Sequence, residues 1–553
     1  MPQPTPTGPG HAAPGTATTG AFGRDMLFVV GSKLLYLISR LAVPPLVLAH
    51  VTLADYGLWT TCFILVSYIG MSASGFAVVY VRYVADYHAR QDTAAISRLL
   101  STGIFAMGAF AVLAMTGLWL AMPGLLTLFK VAPAARNTAS VLWLGACAVF
   151  LLDASVGAFG YVLHGLQRIR NEQQIWICSY LFETVCIVGF LQAGLGVYGL
   201  LAAFGLRYAF SIAAAAVLVK RALPGLRLGW RQFDRSCLRI FFGFGTWVQC
   251  GGLVGTFLQS VDRVLAGMLI GPAAAAVMEL AGKLPSTGAS LASSVSMVAL
   301  PAAARQGALG ASHAVLVVYR DAVRMTAMLA LLMLPPMACL APLVIAAWLG
   351  QRADASALAT IMAWVAIGTH LHILSGPASS VFRGLGRISN EYIYHGLRLA
   401  TLATAVGMLL ANGHGQATTA LAAALGSAGL VAATAYLAIS HRALTGGLAG
   451  LPRLYLLPFA APYLLGLAVM RLAALWPLAP NAGRATALAH LLPIGLLYAA
   501  LASAASWRWL LTPAERAACL RRLPARQVKN PAASPLPAFA HEAAYQGNPG
   551  DKQ

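Results

Sequence analysis

Twelve charged or titratable side chains lie inside long apolar runs of this chain. They are Lys33, Arg40, Asp153, Glu183, Arg207, Asp262, Arg263, Glu279, Lys283, His370, His372 and Arg398. A charge placed in hydrocarbon is costly unless it faces a water-filled cavity or a partner of opposite charge. Arginine also presents a planar fork of donors that fits carboxylate and phosphate oxygens. The pattern therefore predicts a polar route through an apolar protein.

Spacing along the chain relates some of these groups to one another. Lys33 and Arg40 are seven residues apart, and Glu279 and Lys283 are four apart, so each pair lies on one face of a helix. Glu279 and Lys283 are close enough to neutralise each other. Lys33 lies nearest the start of its apolar run, where a cation is expected to anchor the membrane interface.

The apolar runs identify the class of protein. The chain is 59% hydrophobic and 10% charged, with a mean hydropathy of +0.74. Runs of about 20 apolar residues, long enough to cross a bilayer as a helix, recur along it. We predict an all-α integral membrane protein with about fourteen transmembrane helices, at 27–50, 57–81, 99–126, 139–163, 174–194, 196–219, 241–268, 273–300, 322–349, 357–381, 393–411, 416–440, 454–473 and 485–507.

Basic residues are unevenly distributed between the loops. Loops after even-numbered spans are rich in arginine, as at 82–98 and 220–239, whereas the alternate loops hold few cations, such as Lys130 and Arg136. By the positive-inside rule this places both termini in the cytoplasm. That arrangement requires an even number of spans.

One eight-residue phrase occurs twice. GLQRIRNE at Gly165–Glu172 returns as GLGRISNE at Gly384–Glu391, an offset of 219 residues. The same offset aligns Leu53–Trp59 with Pro272–Met278. We infer two parallel repeats of six helices, related by an axis along the membrane normal, with two further helices at the C-terminus. Two such bundles facing each other enclose a central cleft.

The repeated phrase also has a local interpretation. Gly165 and Gly384 are predicted to follow the end of a helix, and Asn171 to cap the next one. Arg168 and Arg387 are expected to anchor the cytoplasmic interface, and their paired loops are candidates for a cytoplasmic gate.

These boundaries divide the chain into six predicted segments. They are a disordered cytoplasmic tail at 1–24, an N-terminal six-helix bundle at 25–220, a basic cytoplasmic linker at 221–240, a C-terminal six-helix bundle at 241–442, helices 13 and 14 at 443–508, and a basic, then disordered, cytoplasmic tail at 509–553.

Two longer stretches carry a family resemblance. SVDRVLAGMLIGPAAAAVMELAGKLP at Ser260–Pro285 and SMVALPAAARQ at Ser296–Gln306, together with the repeated phrase, resemble the O-antigen and exopolysaccharide flippases. These form a branch of the multidrug/oligosaccharidyl-lipid/polysaccharide exporter superfamily. The resemblance covers roughly residues 25–510, and its most specific element is an Asp-Arg pair ahead of a Gly-Pro-Ala turn.

The resemblance implies a transporter and not an enzyme, with no catalytic residues. Such a protein flips a prenyl-diphosphate-linked oligosaccharide repeat unit from the cytoplasmic to the outer leaflet of the bacterial inner membrane by alternating access. The cargo would serve surface or exopolysaccharide biosynthesis. A sugar hydroxyl left without a partner in hydrocarbon costs roughly 4–8 kcal/mol, so the protein must supply a polar path.

The implied cargo assigns roles to the charged residues. Its diphosphate is a dense anion, and the residues expected to bind it are Arg40, Arg207, Arg263 and Lys283. If transport is coupled to protons or sodium, as the resemblance suggests, the candidates for ion coupling are Asp153, Glu183 and His372. Asp153 and His372 are also 219 residues apart, so one titratable group is expected in each half of the cleft. Each of these residues has a structural alternative as an ion pair, an interface anchor or a hydrogen-bonding group between helices.

Three other functions are alternatives for a chain with these residues. A multidrug or cation antiporter of the superfamily should have a cavity of acids and aromatics, whereas the candidate cations here outnumber the candidate acids. A peptidoglycan lipid-precursor flippase stays open, since its cargo is also a lipid diphosphate. A membrane glycosyltransferase or polymerase would need a long catalytic loop, which the predicted spans do not leave room for. The sequence also contains no Walker A, HExxH or GxSxG motif.

Neither a cofactor nor a metal is expected, because the eight cysteines show no CxxC spacing. The formal net charge of +21 lies mostly in loops and the tail, which indicates contact with membrane lipids and argues against nucleic acid. The basic tail is expected to rest on anionic lipid, with polysaccharide-assembly proteins as the alternative partner.

Overall fold

The computed structural model describes residues 39–517, apart from 242–245, 351–354, 388, 414, 416, 480, 481 and 514. The described chain is helical and contains no strand. Eleven of its helical segments are long and apolar enough to cross a membrane, which confirms an all-α, multi-pass membrane protein. Lys33, the predicted tail at 1–24 and most of the tail at 509–553 lie outside the described residues.

The helices, in chain order, are α1 (39–47), α2 (Leu53–Ala89), α3 (Thr93–Leu128), α4 (Arg136–Val156), α5 (Ala158–Gly165), α6 (Ile169–Gln192), α7 (Gly196–Ala222), α8 (Arg235–Ile240), α9 (Thr246–Leu269), α10 (Pro272–Ala308), α11 (Ser312–Cys339), α12 (Ala341–Leu349), α13 (Ala355–Gly384), α14 (Ser389–Ala411), α15 (Thr418–Thr445), α16 (Leu457–Ala473) and α17 (Arg484–Ala505).

The helix boundaries follow the 219-residue offset. α2 begins at Leu53 and α10 at Pro272, and both are 37 residues long. α4 and α5 together cover the part of the repeat that α13 covers as one helix. α7 begins at Gly196 and α15 at Thr418, three residues beyond the offset, because the loop before α15 is longer.

The equivalent helices α2 and α10 have different residues at their N-termini. Thr52 Oγ1 accepts a hydrogen bond from the Asp55 N–H at 3.1 Å, and the charge of Asp55 suits the positive end of α2. α10 instead begins with Pro272 after Gly271, whose φ of 138° suits glycine. The two repeats therefore share a helix start without sharing its sequence.

The two repeats meet where α2 and α10 begin. A Cβ placed on Gly57 would lie 2.4 Å from the carbonyl oxygen of Pro272, so only glycine permits this approach of the two backbones. Trp348 Nε1 donates to the carbonyl oxygen of Leu41 at 2.7 Å, which joins α12 of the second repeat to α1 of the first.

The repeated phrase departs from its predicted geometry. Gly165 is the last residue of α5, and the left-handed residue is Gln167, with φ of 60°. A Cβ on Gly165 would lie 2.8 Å from the Val84 Cβ, so this glycine permits close packing against α2. Asn171 lies inside α6, whose N-cap is Arg168. The predicted capping roles of Gly165 and Asn171 are therefore wrong.

The second copy of the phrase repeats this arrangement. Gly384 ends α13, and Gly386, with φ of 73°, is the left-handed residue. A Cβ on Gly384 would lie 2.6 Å from the carbonyl oxygen of Leu300 on α10, and one on Gly165 would lie 3.1 Å from that of Val81 on α2. Val81 and Leu300 are 219 residues apart, so both glycines serve the same helix contact, once in each repeat.

The predicted linker at 221–240 packs against the start of α3. Three of its backbone N–H groups donate to hydroxyls of α3 at 2.9–3.3 Å, in the pairs Arg227–Ser97, Gly229–Ser101 and Asp234–Thr102. The Asp234 carboxylate accepts from both the N–H and the hydroxyl of Ser236 and lies 3.7 Å from Arg98. The hydrogen bonds from Ser236, assisted by the charge of Arg98, lower the pKa of Asp234.

Candidate functional site

A cavity of about 1230 Å³ lies between the two repeats. Its walls include α1, α2, α6 and α7 of the first repeat and α9, α10, α13, α14 and α15 of the second. Bulky rings such as Trp59, Phe204 and Trp364 form part of its apolar lining. The charged lining is concentrated in two clusters, one in each repeat.

The first cluster is centred on Glu183 of α6. Arg40 Nη2, from α1, donates to Glu183 Oε2 at 2.9 Å, and Arg207 Nε, from α7, lies 3.6 Å from the same oxygen. Glu183 is 4% exposed and Arg207 is 7% exposed. One buried carboxylate is therefore shared by two guanidinium groups.

Aromatic rings support both guanidinium groups. The Cζ atoms of Arg40 and Arg207 lie 4.5 and 4.6 Å from the centroid of the Tyr180 ring. Arg207 Cζ also lies 3.9 Å from the centroid of Tyr208. Stacking of this kind suits a planar, delocalised cation and leaves N–H groups at its edge free to donate.

The second cluster is centred on Glu279 of α10. Arg263 Nη1, from α9, donates to Glu279 Oε2 at 2.7 Å, and Lys283 Nζ donates to Oε1 at 2.9 Å. Asp262 Oδ1 lies 3.9 Å from Arg263 Nε and is buried without a hydrogen-bond partner among the described residues. This cluster again shares one carboxylate between two cations.

α14 adds a further cation to the second half of the cavity. Arg398 lines the wall and, within the part of the chain that the structure describes, takes part in no ion pair. Its charge acts on Asp262 and His372. His372 also lines the cavity and shares a hydrogen bond with the Tyr394 hydroxyl.

Cations outnumber acids in the described wall of the cavity. With histidine neutral, five cations and three carboxylates leave a net charge of +2. The cations are Arg40, Arg207, Arg263, Lys283 and Arg398, and the carboxylates are Glu183, Asp262 and Glu279. An excess of positive charge in a partly apolar chamber suits an anionic ligand.

The structure brings most of the predicted site residues together. The cavity wall contains all four predicted cargo-binding residues, together with Glu183 and His372. Asp153 is not part of the described wall, although the charge of Arg207 acts on it. Of the titratable pair expected in the two halves of the cleft, only His372 therefore lies in the described wall, and a role of Asp153 in ion coupling remains a prediction. Arg168 and Arg387 are exposed in loops outside the described wall, so their role as a gate remains a prediction.

Three wall residues were missed or left without a role by the sequence analysis. Tyr180 precedes Glu183 by three residues and Tyr208 follows Arg207 directly, so helical spacing places Tyr180 beside the charge. The sequence identifies Arg398 as an intramembrane cation, but no spacing rule relates it to the other candidates.

One protein family model matches the chain. Residues 138–357 match the model described as "Polysaccharide biosynthesis protein". No curated protein sequence matches the chain.

Several solved structures share the fold. The structure described as "Lipid II flippase MurJ, inward closed conformation" has a TM-score of 0.65 at 13% identity, and the match covers 89% of this chain and 99% of that one. An inward-facing multidrug resistance MATE family transporter of the MOP superfamily gives 0.58 at 16%, covering 75% and 94%. A MOP superfamily transporter from Pyrococcus furiosus, described as having a binding pocket of reverse polarity, gives 0.52 at 14%, covering 76% and 94%.

At these identities the structural likeness establishes the fold alone. The family match includes Ser260–Pro285 and the first copy of the repeated phrase, Gly165–Glu172, which agrees with the resemblance drawn from them. The similar proteins are transporters and a flippase, not enzymes.

Proposed function

We propose that this protein, a flippase-type transporter of the MOP superfamily, moves a prenyl-diphosphate-linked oligosaccharide repeat unit between leaflets. Transport runs from the cytoplasmic to the outer leaflet of a bacterial inner membrane and serves surface or exopolysaccharide biosynthesis. The family match at residues 138–357 and the cavity shared by two repeats support this proposal.

The observation that carries the proposal is the positive cavity. A diphosphate is a compact anion, and arginine forks bind its oxygens with geometric as well as electrostatic specificity. In a chamber walled by apolar helices, opposite charges attract several times more strongly than in water. The five cations of the wall therefore suit a diphosphate better than they suit a cationic drug.

The carboxylates of the two clusters compete with the cargo. Glu183 engages Arg40 and Arg207, and Glu279 engages Arg263 and Lys283. An incoming diphosphate replaces a carboxylate as the partner of these cations. Protonation of the displaced carboxylate would couple cargo binding to proton uptake. Among the ion-coupling candidates we favour Glu183 first, His372 second and Asp153 third.

A peptidoglycan lipid-precursor flippase is the second candidate. One similar structure is described as a Lipid II flippase, and the match covers 89% of this chain. The positive cavity supports this function equally, since both cargoes are lipid diphosphates. A multidrug or cation antiporter is less favoured, because cations outnumber carboxylates in the described cavity wall and would repel a cationic drug.

The proposed setting follows from the charge distribution. Both termini face the cytoplasm, and lipids contact the apolar outer faces of the helices. Polysaccharide-assembly proteins are further candidate partners for the basic tail.

The proposal is tested by transport in proteoliposomes. A polyprenyl diphosphate carrying a labelled disaccharide is supplied in one leaflet, and its arrival in the other is followed with a membrane-impermeant enzyme. We expect Arg398→Gln to slow transport about tenfold, equivalent to roughly 1.4 kcal/mol. The variant should melt normally because no ion pair among the described residues is lost. Arg136→Gln, an exposed cation outside the described wall, is the matched control.

Deletion of the gene discriminates between the cargoes. Accumulation of a complete lipid-linked repeat unit on the cytoplasmic leaflet supports the proposal, and accumulation of peptidoglycan precursor supports the second candidate. Altered drug sensitivity with normal glycans would contradict both.

A further inference from the structure

α10 presents one polar stripe to the cavity. Glu279, Lys283, Ser286, Ser290 and Ser293 follow one another at alternating intervals of four and three residues, which places them on a single helix face. All five line the cavity. A helix face packed against protein would be apolar at this spacing. The stripe is therefore the wall of a wet chamber, charged at one end and lined with hydroxyls at the other.

The three serines offer acceptors to this chamber. Each hydroxyl donates to a carbonyl oxygen of its own helix, Ser286 to Lys283, Ser290 to Thr287 and Ser293 to Ser290, at 2.7–2.9 Å. A hydroxyl has one proton to donate and two lone pairs that accept. The serines are exposed to the cavity, so the lone pairs form a row of uncharged acceptors.

A second observation indicates that the same cavity receives a polar ligand. Arg207 is only 7% exposed and lines the cavity, and its Nε has no hydrogen-bond partner among the described residues. A buried donor without an acceptor is costly, and more so when it is charged. Arg207 Nε lies 3.6 Å from Glu183 Oε2, an ion pair too long to be a hydrogen bond, so this donor can still take a ligand oxygen. The cavity therefore combines a cationic donor with a row of neutral acceptors, which is complementary to an oxyanion joined to hydroxyl groups.

We propose that Ser286, Ser290 and Ser293 form a saccharide subsite that accepts hydrogen bonds from the hydroxyls of an uncharged sugar while the cations hold the diphosphate. The inference rests on the proposed function and deepens it. The row extends about 10 Å along the helix axis and begins less than one turn from Lys283. A short saccharide joined to a diphosphate at Lys283 therefore reaches all three serines. A carboxylate on this part of the sugar is disfavoured, because it would face acceptors and not donors.

The test compares two lipids on the full chain in detergent. The probes are a polyprenyl diphosphate bearing a neutral disaccharide and the same polyprenyl diphosphate without sugar, with affinities measured by native mass spectrometry. The wild type should bind the disaccharide form about tenfold more tightly. S286A/S290A/S293A should lose about tenfold in affinity for the disaccharide form and stay within about twofold for the bare lipid.

S294A/T404A/T434A is the matched control. These three hydroxyls also donate to their own helices, but they lie outside the described wall of the cavity. The control should bind both lipids like the wild type. Ser290→Ala alone, with a smaller loss, replaces the triple variant if the latter melts early.

Each remaining outcome has one interpretation. Equal affinity of the wild type for both lipids, or an equal loss for both in the triple variant, overturns the saccharide subsite and leaves diphosphate recognition intact. Failure of the wild type to bind either lipid overturns the proposed function itself.

Discussion

Glu183 is one carboxylate between two arginines, and its charge is the residue-scale feature that we expect to limit cargo binding. Glu183→Gln keeps the size and an acceptor oxygen but raises the net charge of the described wall from +2 to +3. We expect a bare polyprenyl diphosphate to bind about tenfold more tightly at neutral pH, because the carboxylate no longer competes. The melting temperature should fall by several degrees, since two guanidinium groups lose a charged partner. Titration with the lipid and a thermal melt measure the two effects.

Glu172→Gln is the control for this change. Glu172 lies in the first turn of the same helix, outside the described cavity wall. Its substitution should leave lipid affinity unchanged. Weaker binding in Glu183→Gln would show that Glu183 holds the arginines in place for the cargo and does not compete with it.

Some contacts between residues of the site could be predicted from the sequence, and others could not. The pair Glu279 and Lys283 was predictable, because four residues along a helix bring side chains together. Arg40 and Glu183 are 143 residues apart, and no spacing rule relates them. Asp153 was misplaced for another reason: the helix breaks at Gly157 just beyond it, whereas the equivalent α13 runs on unbroken past His372. The shared offset therefore does not give both residues the same orientation.

At the scale of the elements, the stability of the packed linker at 221–240 should depend on pH through Asp234. Its pKa is lowered by hydrogen bonds from Ser236, so folding favours the charged carboxylate. The stabilisation is present above the usual Asp pKa of about 3.9 and is lost as the pH falls through the lowered value. At pH 7, Asp234→Asn should speed amide exchange of Arg227 and Gly229 roughly threefold, because a partly exposed charge contributes under about 1 kcal/mol. Hydrogen-exchange mass spectrometry measures it.

The same experiment at acid pH provides the contradicting outcome. Below the lowered pKa of Asp234, where the wild-type carboxylate itself becomes protonated, the variant and the wild type should converge. A difference that persists there would mean that the charge of Asp234 is not what holds the linker. Asp86→Asn removes an exposed carboxylate of α2 that pairs with Arg90. It should leave the amide exchange of the linker unchanged.

The positions of helices could be predicted where the length of an apolar run alone sets them. The predicted span at 139–163 lies within α4 and α5, and that at 416–440 overlaps α15. The helices extend beyond most predicted spans because polar turns continue past the hydrocarbon, as in α2, which reaches Ala89. The glycines of the repeated phrase were misread, since close packing of Gly165 on α2 depends on tertiary contact that local turn rules do not contain.

At the scale of the whole molecule, the contacts between repeats indicate which side of the cavity is closed. Gly57 packs on Pro272 where α2 and α10 begin, and Trp348 donates a hydrogen bond to the carbonyl oxygen of Leu41. The predicted topology places both contacts on the same side of the membrane. With both termini in the cytoplasm, as predicted, these contacts lie towards the outer leaflet. We infer that the described arrangement is closed to the outside, and that outward opening must break these contacts.

Trp348→Phe tests this inference, because it removes the indole donor to Leu41 and leaves the ring in place. One hydrogen bond of about 1 kcal/mol shifts the balance towards the outward-open state roughly fivefold. A cysteine at Thr369, in the cavity wall, should then react about fivefold faster with an impermeant thiol reagent added outside, in a background without the native cysteines. Trp143→Phe removes a comparable indole bond to the Leu58 carbonyl within the first repeat and should leave the labelling rate unchanged. An equal labelling rate in Trp348→Phe and the wild type would place the closing contact elsewhere.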